Sequence, residues 1–295
     1  MVNSLNNMSF FFIFSIVLLC TACVPSKQAR VAAVAHTFED VACAAAKQSE
    51  SSIVRAGTPA YLMLIDGLIE ASPENDSLLL AGCRAYTSFA GSLPEDGDRH
   101  ATAALYARAK NYGFRALSGQ RDFREAVSAS LEEFTSFLQH YEKKDVPALY
   151  WTARSWAGWI NLNQDNLEAL AEVPMLEATM RRVLELDETF HYDSPHLFMA
   201  TYLAATPAIL GGNLNKAGEN FHRALALGEG KFLMAKVLFA EYYAARVGDR
   251  TLFEKTLHEV LEAPVDQVPE LTLSNALAKD KARKLLDDVD EYFLD

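Results

Sequence analysis

The chain has 295 residues, half of them apolar and 22% charged, enough apolar material for a sizeable core and too much for a disordered chain. Its 27 Lys and Arg are outnumbered by 39 Asp and Glu, giving a formal charge of −12. No Lys/Arg-rich block offers the phosphate-neutralising footprint of a nucleic-acid binder, so no nucleic-acid partner is expected.

Residues 1–22 carry no charged side chain, and Phe10 to Cys20 form an apolar run of signal-peptide length, too short to span a bilayer. Thr21, Ala22 and Cys23 place two small residues before a cysteine, as a signal peptidase requires when the thiol is to carry diacylglycerol. The expectation is a signal peptide over 1–22, with Cys23 as the first mature residue and the lipidation site. An uncleaved anchor or a conventional signal cleaved nearby are the alternatives, because Cys20 stands where Leu is usual and MVNSLNN lacks Lys and Arg. Each buried acyl methylene contributes roughly 0.8 kcal/mol, so several chains anchor a protein to a membrane surface without a spanning helix. Val24 in place of Asp favours the outer over the inner membrane. Outside the cytoplasm Cys43 and Cys83 are permitted a disulfide, but two buried helix thiols are the favoured reading.

A tether and first helix are assigned to 23–50 and one continuous helical domain to 51–295, since no Pro/Ser/Gly-rich linker divides them. Tyr61, Leu64, Ile65, Leu68 and Ile69 fall on one helical face, stopped by Ser72-Pro73-Glu74-Asn75, and Leu131, Phe134, Leu138 and Tyr141 repeat the pattern. Breaks are short: Ser92 to Asp98, Lys143 to Pro147, His191 to Pro195, Gly211-Gly212-Asn213, Gly228 to Gly230 and Val247-Gly248-Asp249. Such connections make consecutive helices antiparallel neighbours. The predicted class is all-α, a tetratricopeptide-like array of about four helical hairpins with flanking helices and DKARKLLDDVDEYF as a polar terminal cap. Ala217, Phe221 and Ala224 have the small-large-small spacing of a second helix in such a hairpin. Phe253, Leu257 and Val260, and Leu176, Met180 and Val183, follow it in hydrophobic character. Ala157-Gly158 supplies a small crossing point in a first helix, where Gly costs about 1 kcal/mol against Ala.

No HExxH, phosphate-cradling glycine loop or nucleophile elbow is present, so no catalytic residue, cofactor or metal is assigned. His191 and His196 are five apart and do not share a helical face, and Glu132-Glu133 and Asp287-Asp288 read as solvated surfaces. Aromatic residues are more suggestive: Tyr150, Trp151, Trp156 and Trp159 cluster, and Phe198, Tyr202, Tyr242 and Tyr243 occur on later first helices. In stacked hairpins the first helices line the concave side. Trp156, Trp159, Tyr202 and Tyr242 are therefore candidates for a groove, against the simpler reading that they are core. Lys236 and Glu241, charged amid apolar neighbours, are either pore-lining or in ion pairs with another hairpin.

Four segments carry a family resemblance. GTPAYLMLIDGLIEASPENDSLLLAGCRAYTSFAG, VPALYWTARSWAGWINLN, HLFMATYLAATPAILGGNLNKAGENFHRALAL and LMAKVLFAEYYAARVGDRTLFEKTLHEVL occur in order over nearly the whole mature chain. Together they resemble the TatT family, tetratricopeptide lipoproteins associated with tripartite ATP-independent periplasmic (TRAP) transporters. Asn213-Leu214 stands where members often carry Asp-Pro, and Asn remains a competent N-cap. The resemblance implies a periplasm-facing scaffold that performs no chemistry and docks the transporter's substrate-binding protein. It further implies a homo-oligomer, a trimer by analogy, and a role in uptake of a small, apolar ligand. An envelope assembly factor of the pilotin type is the alternative, and a cell-envelope enzyme a remote one.

Overall fold

Seven helices open at an Asn, Asp or Ser whose side-chain oxygen accepts a hydrogen bond from a first-turn N–H: Asn75, Asp98, Asp122, Ser130, Asn166, Asn213 and Asp249. Each cap satisfies a donor that the helix leaves open, typically for about 1 kcal/mol. These caps fix most of the breaks legible in the sequence. The computed structural model describes residues 27–94, 97–119 and 122–293, and every regular element among them is helical. The expected signal peptide and Cys23 lie outside the described residues.

Helix α1 spans Lys27–Ala46, α2 Ser51–Ala71, α3 Asp76–Ser92 and α4 Arg99–Leu117. Two short helices, α5 Phe123–Val127 and α6 Leu131–Leu138, lead to α7 Val146–Leu162, α8 Leu167–Ala171 and α9 Val173–Leu186. Then follow α10 Phe190–Ala205, α11 Leu214–Leu227, α12 Leu233–Phe239, α13 Arg250–Glu262, α14 Thr272–Asp287 and α15 Val289–Tyr292. The chain past α12 continues as a π-helical turn over Ala240–Ala244.

Pairing is sequential. Helix α3 packs on α4, α7 on α9, α10 on α11, and α12 on α13, with α4 also against α7 and α14 against α12 and α13. The second members hold the stripes predicted for them: Leu176, Met180 and Val183 on α9, Ala217, Phe221 and Ala224 on α11, and Phe253, Leu257 and Val260 on α13 are all buried. Small residues set the closest approaches, as expected for Gly158, where a Cβ would overlap the Tyr106 ring of α4. Gly218 on α11 does the same for Tyr243.

Helix α14 is more than the polar cap predicted for it. It buries Ala278, Ala282 and Leu285 and returns to touch α1 and α2. Nearby, Lys47 pairs with Glu270 at 3.3 Å. The array thus curls until its end meets its beginning. Other expectations are corrected in detail: Leu64 and Leu131 are exposed although their helical phase placed them with the core. Tyr141 lies beyond α6, its hydroxyl donating to the Leu117 carbonyl at 2.7 Å. Cys43 and Cys83 are unbridged thiols, Cys83 buried and Cys43 partly exposed.

Candidate functional site

The curled array surrounds a central chamber of about 2710 Å³ that is partly open to solvent. Small-molecule pockets run to roughly 300–1,000 Å³, so this volume exceeds what a single drug-sized ligand fills. Its wall comes mainly from first helices, each giving one stripe at three- and four-residue spacing. Helix α7 contributes Pro147, Trp151, Arg154, Gly158 and Asn161, and α10 contributes Ser194, Phe198, Thr201 and Tyr202. Helices α3, α12 and α14 add Leu80, Arg84, Leu238, Leu277 and Lys281, among others. That periodicity follows from the 3.6-residue turn, since a helix shows a cavity only one face.

Of the residues proposed from the sequence, Tyr202 and Tyr242 line the chamber. The Tyr202 hydroxyl donates to Glu177 Oε2 at 3.1 Å, and burial, with Glu177 second, pushes its pKa up to about 12. Trp156 does not line it. It is fully buried, edge-on to Phe114 with ring centroids 5.0 Å apart, and its Nε1 donates to Glu172 Oε2 at 2.5 Å. Trp159 also faces away from the chamber, with Lys110 Nζ 3.9 Å from its ring centre while that ammonium pairs with Glu172. Burial lowers the Lys110 pKa, and its hydrogen bond to Glu172 acts against that. Lys236 and Glu241 are ion-paired to other helices, Lys236 with Glu259 at 2.7 Å and Glu241 with Lys281 at 2.9 Å. They lie outside the chamber wall, which corrects the pore-lining alternative for both.

The break expected at His191 to Pro195 takes a form that the sequence did not signal. His191, Tyr192 and Asp193 have φ of 49°, 59° and 62°, one turn of left-handed backbone without a glycine. Each such residue costs roughly 1–2 kcal/mol, so neighbours must hold the turn in place. They do so with aromatic faces: His191 stacks on Tyr150 at 5.7 Å and meets Trp151 edge-on at 5.1 Å. Ser194 Oγ donates to the His191 carbonyl at 2.5 Å, and Asp193 is buried. The turn sets His191 and Tyr192 in the chamber wall. Burial, then the charges of Arg154 and Arg84, bring the His191 pKa down to about 4, so its imidazole is neutral at neutral pH. His196 turns elsewhere, Nε2 to Glu188 and Nδ1 to Asn220, both at 3.0 Å.

The two arginines near His191 were also missed. Arg84 Cζ lies 5.6 Å from the Trp151 ring centre, and Arg154 donates to the Tyr150 hydroxyl at 3.2 Å. The site can bind and orient a molecule, and among the described residues no three His, Cys, Asp or Glu converge as metal ligands. No helix among those residues is long and apolar enough to cross a membrane.

Comparison with known proteins gives the context. An uncharacterized protein of Treponema pallidum (strain Nichols) is 22% identical over 314 aligned positions, covering 96% of this chain and 97% of that protein. The family model described as TRAP transporter T-component matches residues 47–293, from the end of α1 through the last described residue. With the match spanning every helix after α1, the chain belongs to the TRAP transporter T-component family, a family of transporter components and not of enzymes.

Proposed function

We propose that this protein is a periplasm-facing scaffold, held at the membrane through acylated Cys23, that docks the substrate-binding protein of a TRAP transporter. Its central chamber serves the uptake of a small, largely apolar ligand, and its paired helices act as a tetratricopeptide-like array assembled into a homo-oligomer. The observation that carries this reading is the chamber itself, walled by first helices across the segment that matches the transporter family. Tyr202, Phe198 and Leu238 offer apolar surface to a ligand, and stacked helical pairs characteristically use the concave side for recognition.

The test is recovery of partners. Full-length protein, solubilised from envelopes and captured by a C-terminal tag, is expected to bring down a TRAP substrate-binding protein, with recovery reduced when Cys23→Ser removes the anchor. Recovery of pilus or outer-membrane assembly factors without any TRAP binding protein would replace this reading with that of an envelope assembly factor.

A further inference from the structure

We infer that the chamber holds an anionic amphiphile whose oxyanion headgroup sits between Arg84 and Arg154 and whose apolar body lies along Tyr202 and Leu238. The inference deepens the reading of the chamber as a ligand site and rests on it. It begins with an imbalance of charge. A guanidinium facing a wet cavity with no carboxylate partner keeps its N–H donors free for an anion. Four charged groups of the wall are answered by ion pairs, Glu177 by Arg181, Glu270 by Lys47, Asp280 by Arg283 and Lys281 by Glu241, while Glu39, Arg55, Lys284 and Asp288 stand at its rim without one among the described residues.

Arg84 and Arg154 stand against aromatic rings. Among the described residues neither has a carboxylate within ion-pair distance, and Glu39, the exposed acid on α1, pairs with neither. Arg84 meets the Trp151 face, and Arg154 meets the Tyr150 ring at 6.0 Å and its hydroxyl. A ring face holds the Arg84 guanidinium without using its N–H fork, and Arg154 gives one N–H to the Tyr150 hydroxyl, so both keep donors for a planar oxyanion. Arg154 is also open to water while protein surrounds it, as a side chain projecting into a chamber must be. The rings that hold them, Tyr150 and Trp151, have centroids 5.3 Å apart, which brings both cations to one side of the cavity. His191 beside them is neutral, and neither arginine forms an ion pair with an acid of the wall.

Apolar wall and large volume set the rest of the ligand: a charged head alone would leave most of the chamber unfilled. Carboxylate and phosphoryl heads share the needed chemistry, and the assay separates them. Full-length protein in lipid nanodiscs is dialysed to equilibrium against radiolabelled octanoate, octyl phosphate, octan-1-ol and octyltrimethylammonium, with empty nanodiscs subtracted. Retention of octanoate or octyl phosphate at least tenfold tighter than octan-1-ol, with octyltrimethylammonium weakest, is the expected order and needs no variant. The double substitution Arg84→Met and Arg154→Met should weaken the anionic probe about tenfold or more and leave octan-1-ol unchanged. Arg84→Gln alone, which removes one of the two cations and, of the protein's own contacts, the one with the Trp151 ring, should reproduce part of that loss if the double variant fails to fold. Equal retention of octan-1-ol and the anions overturns the headgroup site while the chamber remains a ligand site. Retention of none of the four overturns both.

Discussion

Acid lability should trace in large part to one imidazole. His191 binds its proton near pH 4 in the folded protein and near 6.5 in the unfolded chain. Between those values the unfolded state holds more protons, so the stability supplied by a neutral His191 is complete above pH 6.5 and is lost as pH falls toward 4. Linkage over that window gives a loss of about 2 kcal/mol between pH 7 and pH 5. The perturbation is His191→Asn, which cannot titrate in this range and tolerates the left-handed backbone at φ 49°. At pH 7 the variant loses the ring contacts with Tyr150 and Trp151, at about 0.5–1.5 kcal/mol for each aromatic pair. Urea unfolding followed by far-UV circular dichroism, at both pH values and for both proteins, measures each term. The wild type should lead at pH 7, and at pH 5 its lead should shrink by about 2 kcal/mol or reverse. Curves that stay parallel from pH 7 to pH 5 would refute the assignment of a depressed pKa to this residue.

Trp156→Ala should destabilise the fold by about 3–5 kcal/mol, because it empties a fully buried site and removes one of the donors to the Glu172 carboxylate; thermal melting checks this, and a loss under 1 kcal/mol would return Trp156 to the list of groove candidates. Asn275 is fully buried, accepts from the Leu233 N–H and donates to the Lys231 and Val265 carbonyls at 2.9–3.0 Å. Asn275→Ala leaves buried backbone groups unmatched at the start of α12 and should cost about 2–4 kcal/mol, with faster amide exchange concentrated around residues 231–235. Uniform exchange along the chain would count against that local role.

Much of the fold is legible because its signals are local. Asn75, Asp98 and Asn213 announce helix starts by chemistry, and the small-large-small stripes of α11 and α13 survive as spacing in one dimension. Chamber residues obey a local rule as well: Tyr202 and Tyr242 lie on first helices, as does Trp151. The tryptophans divide because of helical phase, Trp156 being about 140° around α7 from Trp151 at 100° per residue. Isolated charges were harder to assign. Lys236 and Glu241 stand in apolar helices just as Arg84 and Arg154 do, but only the first two meet acids or bases on other helices, Glu259 and Lys281. A lone charge tells that an answer exists and leaves its identity to the tertiary structure. The break at His191 to Pro195 is legible, but its left-handed form is not, because FHYDSP lacks the glycine that ordinarily marks positive φ. Closure of the chain on itself is likewise invisible to local pattern, since the sequence of α14 reads as a solvated end cap while its small residues Ala278 and Ala282 are fully buried.

That closure constrains how such a molecule can change over generations. An open stack of helical pairs gains or loses a unit with little penalty, because each unit touches only its neighbours. Here a supernumerary pair would push the seam near Lys47 and Glu270 apart by roughly one interhelical spacing, about 10 Å, and a missing pair would drive the ends into collision. Duplication and deletion of whole repeats, the usual currency of divergence in these architectures, are therefore barred, leaving variation to the side chains that face the hollow.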